Sequence, residues 1–268
     1  MELFFRKSGT GQPLIILHGL YGSSDNWYSI GRVLSENHTV YLIDQRNHGN
    51  SPHDPVHTYD AMANDLFEFM QKHINGQAII IGHSMGGKTA LQFGLKHPEL
   101  VAKMIIVDIS PLGYDLNDAS TAGNQHVQII KALSGINPEL LKSREEADRM
   151  LIPEVPSAMV RQFLLKNLKR TPDGKFRLAT NIKALSENMP GIFSGIISEE
   201  NTDPRQIPEF PLLFIKGDRS EYIRSTDEQA IRHFFPWAGI VSIKDSGHWV
   251  HAEQPSRFLE VVNDFIKN

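Results

Sequence analysis

A mostly parallel α/β sheet flanked by helices, with a helical insertion near its middle, is predicted by three features of the 268-residue sequence. First, short apolar runs recur, each ending in a polar or glycine-bearing turn: LIILHG at 14–19, TVYLID at 39–44, AIIIGH at 78–83, MIIVD at 104–108, LLFIKGD at 212–218 and IVSIKD at 240–245. Runs apolar on nearly every residue mark strands buried on both faces, as in a parallel sheet covered by helices. Second, stretches of helical period separate the first four runs, as with Tyr59, Met62, Ala63, Leu66, Phe67 and Met70. Third, the alternation stops from residue 111 to about 205. Helix signals replace strands there: Ser143 and Glu146 have the spacing of a capping box, and Val160, Phe163, Leu164 and Leu168 recur at helical spacing. Two further strand–helix units then complete the sheet. The predicted division is a core at 1–110 and 207–268, and a helical cap at 111–206.

Composition narrows the function. The formal net charge of −4 provides no cationic field, so a small molecule is expected as partner rather than nucleic acid. With no cysteine in the chain, disulfides, thiol catalysis and cysteine-based zinc sites are excluded together. The opening MELFFRKSGTG lacks an apolar core of signal-peptide length, and no apolar run approaches the ~20 residues of a membrane helix. A soluble, cytoplasmic protein without a membrane span is expected.

Residues 78–91, AIIIGHSMGGKTAL, satisfy two catalytic motifs at once. Gly82, Gly87, Lys88 and Thr89 fit a phosphate-binding P-loop, while Gly82, Ser84 and Gly86 fit the G-x-S-x-G nucleophile elbow. Asp108, closing MIIVD, even resembles the aspartate that positions magnesium in P-loop enzymes. Against the nucleotide reading, P-loops usually follow the first strand, and here at least two runs precede the motif. On that reading Lys88 grips phosphate; otherwise it is a solvated lysine early in a helix.

The serine reading requires further parts in a set chain order. An oxyanion hole can form where His18-Gly19-Leu20 leaves a strand, with the Leu20 amide joined by that of Met85, the residue after the serine. A base is available at His248, on a loop after the last apolar run, where the order serine, acid, histidine requires it. His248 and His251 also suggest a metal, but no H-E-x-x-H pattern accompanies them, and the chemistry calls for no metal or cofactor. Glycine at 82 and 86 removes Cβ atoms that would collide at a sharp strand-to-helix turn. Tyr21, His83 and Trp249, next in sequence to Leu20, Ser84 and His248, are candidates for the substrate pocket.

Taken in order, HGLYGSSDNW, IDQRNHGNS, GHSMGGKTA, VDISP and SGHWVHAEQP resemble the α/β-hydrolases over essentially the whole chain, in particular the YbfF-type esterase and acyl-thioesterase branch. The resemblance implies an α/β-hydrolase fold with a cap, and it implies that Asp44, Arg46, Asn47, His48, Gly49 and Ser51 are largely architectural. One departure concerns the acid. Most such enzymes carry it in a G-x-x-D pattern after the cap, but here Gly217-Asp-Arg-Ser puts Ser220 at that position. Either Asp218 substitutes, or the acid is Asp108 at the end of the strand after the nucleophile helix, as the YbfF-type branch implies.

The expected chemistry is acyl transfer from an ester or thioester through an acyl-serine, with Ser84 as nucleophile and His248 as base. A hydrolase-fold ligand sensor with a slow triad is the rival. Residues 161–177 hold six Lys or Arg against Asp173 alone, which would attract anionic acyl-coenzyme A if the segment bordered the pocket and is otherwise a solvated face.

Overall fold

The structure, a computed structural model, describes residues 1–115, 122–198 and 200–268. Residues 116–121 and 199, within the expected cap, lie outside the described residues. In chain order the first half contains β1 (Phe5–Ser8), β2 (Gln12–Leu17), α1 (Tyr28–Leu34), β3 (His38–Ile43), α2 (Tyr59–His73), β4 (Ala78–His83), α3 (Met85–Lys96) and β5 (Val101–Val107). The insertion follows as α4 (Ala122–Ser134), α5 (Arg144–Leu151), α6 (Ala158–Leu165), β6 (Leu168–Arg170), β7 (Phe176–Leu178), α7 (Ile182–Glu187) and α8 (Met189–Phe193). The core resumes with β8 (Leu212–Gly217), α9 (Ser225–Phe234), β9 (Gly239–Ile243), α10 (Val250–Glu253) and α11 (Pro255–Lys267).

Among the described residues, the main sheet has seven strands in the order β1-β3-β2-β4-β5-β8-β9, all pairs parallel except β1 with β3. Consecutive residues on a strand bury toward opposite faces. Ile15, Leu17, Ile80, Ile106 and Phe214 join one core with Leu66, Phe69 and Phe93 of α2 and α3. Leu14, Ile16, Ile79, Ile81 and Val107 join another with Ile30, Leu34, Phe258 and Val262 of α1 and α11. This double cover is the physical reason for the unbroken apolar runs. β1 lacks such a run because it is an edge strand whose Arg6, Lys7 and Ser8 are exposed.

The cap has its own core, in which Ile129, Leu133, Leu151, Leu164 and Leu185 meet Leu20, Tyr21 and Met85 from the sheet's end. Here the sequence expectation needs two corrections. Leu168 does not continue the helix of Val160, Phe163 and Leu164: α6 ends at Leu165, and Leu168 opens a two-stranded hairpin with β7. Its Thr-Pro-Asp-Gly turn, closed by the Gly174 N–H bond to Thr171 O at 2.9 Å with Gly174 at φ +85°, was a hairpin signal inside a polar stretch. The capping box is half formed: Ser143 accepts from Glu146 N at 3.2 Å, whereas the Glu146 carboxylate takes Lys142 N at 2.7 Å. At the hinges the two connecting segments pair, through Tyr114 N to Phe193 O and Ile196 N to Pro111 O, both 2.8 Å. Among the described residues, no helix is long and apolar enough to cross a membrane.

Candidate active site

β4 and α3 are joined by a single residue, Ser84, held at φ 52° and ψ −121°. Such positive φ at a non-glycine costs of order 1–3 kcal/mol and persists where the surroundings over-determine it. They do so here. A Cβ on Gly82 would fall 2.3 Å from Gly86 O, and one on Gly86 would fall 2.4 Å from Leu17 O, so neither glycine tolerates a side chain. Bonds from Ser84 N to Val107 O at 2.9 Å and from Gly87 N to Ser84 O at 2.8 Å complete the turn.

The loop after β2 passes directly beside this serine. A Cβ on Gly19 would lie 3.1 Å from the Ser84 Cβ and 2.8 Å from the His83 ring. Leu20 follows on that loop and Met85 opens α3, so both candidate amides belong to backbone flanking Ser84. Tyr21, at φ 60°, is braced from both sides: its N–H donates to His48 Nε2 at 3.2 Å, and its carbonyl accepts from Asn167 Nδ2 of the cap at 2.7 Å. His48 in turn has Arg46 O 3.0 Å from Nδ1, and burial holds it well below the usual histidine range, so it stays neutral and can accept. Asp44 takes backbone N–H groups from Ser24 and Asn50 at 2.6 and 2.8 Å, and Arg46 is locked on Asp65. These are architectural contacts.

Asp108 ends the strand next to β4, in the register where His83 pairs with Val107. Its side chain is fully buried, and its backbone is at φ 50°. One oxygen lies 2.8 Å from His248 Nδ1 and also takes the Ser220 hydroxyl, while the other accepts Gly217 N at 3.0 Å. Three donors and no acceptor form the surroundings of an ionised carboxylate. Burial works the other way, pushing Asp108 up to about 7 against the pull of Ser220 and Gly217, and pushing His248 down to about 3. With Nδ1–H given to Asp108, the free lone pair of His248 is at Nε2. Asp218, the other candidate acid, is exposed and accepts from Ser246 N at 3.2 Å instead.

Ser84 and His248 line one cavity of about 530 Å³ between core and cap, together with Tyr21, His83, Trp249 and Tyr222. His83 also spans the site, its Nε2 2.9 Å from the His248 carbonyl, and Trp249 packs against Phe163 of the cap. Of the basic segment only Lys166 lines this cavity; Arg161 is tied to Asp148 and two carbonyls, Lys169 to Asp25, and Arg170 lies over Phe176. Neither reading of Lys88 survives. It is 1% exposed, donates to Leu112 O and Ser194 O at 2.9 and 2.6 Å, and so ties α3 to both hinges of the cap. Burial pulls its amine down to about 7, and no phosphate could reach it.

The sequence reading passed over Tyr222, stacked on His248, and His126, which reaches it from α4. Ser220 had a signal, the hydroxyl in the acid's usual position. His126 had none, because only the folded cap brings α4 over the sheet.

The family profile described as the alpha/beta hydrolase fold matches residues 12–255. Over 274 residues the chain is 38% identical to the sn-1-specific diacylglycerol lipase ABHD11 of Danio rerio, covering 98% of this chain and 81% of that one. It is 31% identical over 258 residues to Esterase YbfF of Escherichia coli (strain K12), with 96% and 93% covered. A solved structure described as a marine microorganism esterase matches with a TM-score of 0.92 at 46% identity, covering 98% of this chain and 99% of that one. The chain belongs to the α/β-hydrolase family. More particularly, it is a hydrolase of the esterase or thioesterase type, closely related to the small YbfF-type esterases and lipases.

Proposed function

We propose that Ser84, His248 and Asp108 act as the nucleophile, base and acid of a two-step acyl transfer on a small ester or thioester. His248 Nε2 takes the Ser84 proton as the serine oxygen bonds to the carbonyl carbon, and the Leu20 and Met85 amides receive the developing oxyanion. His248 then returns the proton to the leaving alcohol or thiol. Water, activated in the same way, releases the acid. Asp108 fixes the imidazole tautomer and stabilises the imidazolium. The observation that carries this reading is the 2.8 Å contact between His248 Nδ1 and Asp108, in the cavity lined by the strained Ser84.

Tyr21, His83 and Trp249 are the proposed pocket residues, and the proposed division keeps 1–110 and 207–268 as core and 111–206 as cap. Diacylglycerols, the substrate in the name of the Danio rerio relative, are one ester class to assay beside short p-nitrophenyl esters and acyl thioesters. The cysteine-free composition suits residence in the reducing cytoplasm. The test is Ser84→Ala: p-nitrophenyl butyrate hydrolysis should fall by about four orders of magnitude in a protein that still folds. Retained turnover would overturn the assignment.

A further inference from the structure

We infer that Tyr222 is a further catalytic residue, its ring lying flat against the imidazole of His248 and stabilising the positive charge that the base acquires. The two ring centroids are 3.7 Å apart with 18° between planes, closer than the other aromatic neighbours of this histidine, His83 at 4.6 Å and Trp249 at 6.0 Å. The inference rests on His248 being the base.

The contact is built rather than incidental. The Tyr222 N–H is 3.3 Å from the Ser220 oxygen whose proton goes to Asp108, so acid and ring share one support. The Tyr222 carbonyl accepts the Tyr114 hydroxyl at 2.8 Å, and that hydroxyl accepts Ser110 N at 2.8 Å, two residues beyond Asp108. At the far end, the Tyr222 hydroxyl lies 2.8 Å from His126 Nε2 on α4. The ring is thus held by the core at its backbone and by the cap at its tip. It cannot turn off His248 without breaking the cap contact.

Charge explains the use of such a wall. As Ser84 bonds to the carbonyl carbon, its proton passes to His248 Nε2 and the carbonyl π pair moves to the oxyanion, so a neutral imidazole becomes a half-buried cation at the cavity wall. An aromatic face attracts a cation, most strongly where water is excluded, and stacking also keeps the imidazole oriented. The wall itself carries no rival charge. Burial raises the Tyr222 phenol above its usual range and pushes His126 down to about 3, so both are neutral near pH 7. Ser84, His126 and Tyr222 also line a small pit beside the main cavity, so the link from α4 to the base reaches the reacting serine.

Steady-state hydrolysis of p-nitrophenyl butyrate by Tyr222→Leu and Tyr222→Phe tests the inference, with His248→Gln measured alongside. Losing the ring should lower kcat by about 3- to 30-fold while KM moves less than about threefold, since the charge exists only in the transition state. Tyr222→Phe, which restores the aromatic face without the cap contact, should recover most of that kcat. Equal losses in both variants, or a change confined to KM, would overturn the role. If Tyr222→Leu does not fold, Tyr222→Met supplies the ring-free comparison. A His248→Gln variant that keeps its activity would instead remove the base assignment, whereas an inactive one beside an unimpaired Tyr222→Leu would remove only this inference.

Discussion

Core and cap bury similar kinds of residue by different rules. In the core, β2, β4, β5 and β8 are apolar on both faces because helices cover both, and the groups proposed for chemistry stand at or just beyond the ends of these strands: Ser84 after β4, Asp108 after β5, Ser220 after β8. In the cap, short helices and a three-residue-stranded hairpin share a core whose floor is Leu20 and Tyr21 of the loop after β2 and Met85 of α3. The core sets geometry through backbone register. Where cap meets core, side chains set it: Asn167 of the cap on Tyr21, Lys88 of the core's α3 on the hinges, and His126 of the cap on Tyr222. Chemistry should therefore be most sensitive to strand-end residues, and access and seating to cap contacts.

The largest expected separation within the core, after loss of the serine itself, is between the two candidate acids. Asp108→Asn should lower kcat by about three to four orders of magnitude, because asparagine preserves shape but can hold the wrong imidazole tautomer. Asp218→Asn, on an exposed side chain with no contact to His248, should cost about tenfold or less. Steady-state kinetics of the two variants decides it, and the reverse ranking would place the acid after β8.

The pH profile sharpens the same point. On the proposed mechanism, activity needs Asp108 ionised and His248 neutral. Burial raises Asp108 to about 7 and lowers His248 to about 3, so on acidification the first proton enters the pair near 7 and silences it. The profile of kcat/KM should be flat above this limb and fall roughly tenfold per pH unit below it. The Ser220 hydroxyl opposes the rise of Asp108, so Ser220→Ala should move the limb to higher pH. A limb unmoved in that variant would mean the hydroxyl does not tune the acid.

A smaller effect is expected where cap meets core. Lys88→Met removes the donor to Leu112 O and Ser194 O and leaves two hinge carbonyls in need of partners, at a cost of about 1–3 kcal/mol in urea unfolding. Magnesium-dependent ATP hydrolysis should be undetectable with or without the substitution. The least effect belongs to the basic segment. Because only Lys166 of that set lines the cavity, raising salt should increase KM for an acyl-coenzyme A by no more than about twofold relative to a neutral ester. A steep salt dependence would show that the cap edge steers anions after all.

The sequence by itself determined six of the seven strands of the main sheet. Doubly covered strands must be apolar at every position, so five of the six runs announced themselves for that reason, the sixth being edge strand β9 with Ser242 exposed; the helix between Ser84 and Asp108 is short enough that a right-handed crossover usually joins neighbouring strands, as the β4–β5 pairing bears out. Glycines at 82 and 86 also marked the elbow, since a Cβ at 82 would strike Gly86 O and one at 86 would strike Leu17 O. Edge strand β1 and the cap hairpin stayed hidden, being short and half polar, without the periodicity that reveals longer elements. Only the tertiary structure decided between Asp108 and Asp218 as neighbours of His248, since both end or follow apolar runs and differ in what surrounds them: three donors in a buried pocket against solvent. It alone turned Lys88 from a P-loop candidate into a hinge tie and brought His126 to Tyr222 from 96 residues away. Local patterns record burial and backbone conformation, which neighbours along the chain impose. The meeting of side chains from distant segments depends on how covered surfaces pack in three dimensions.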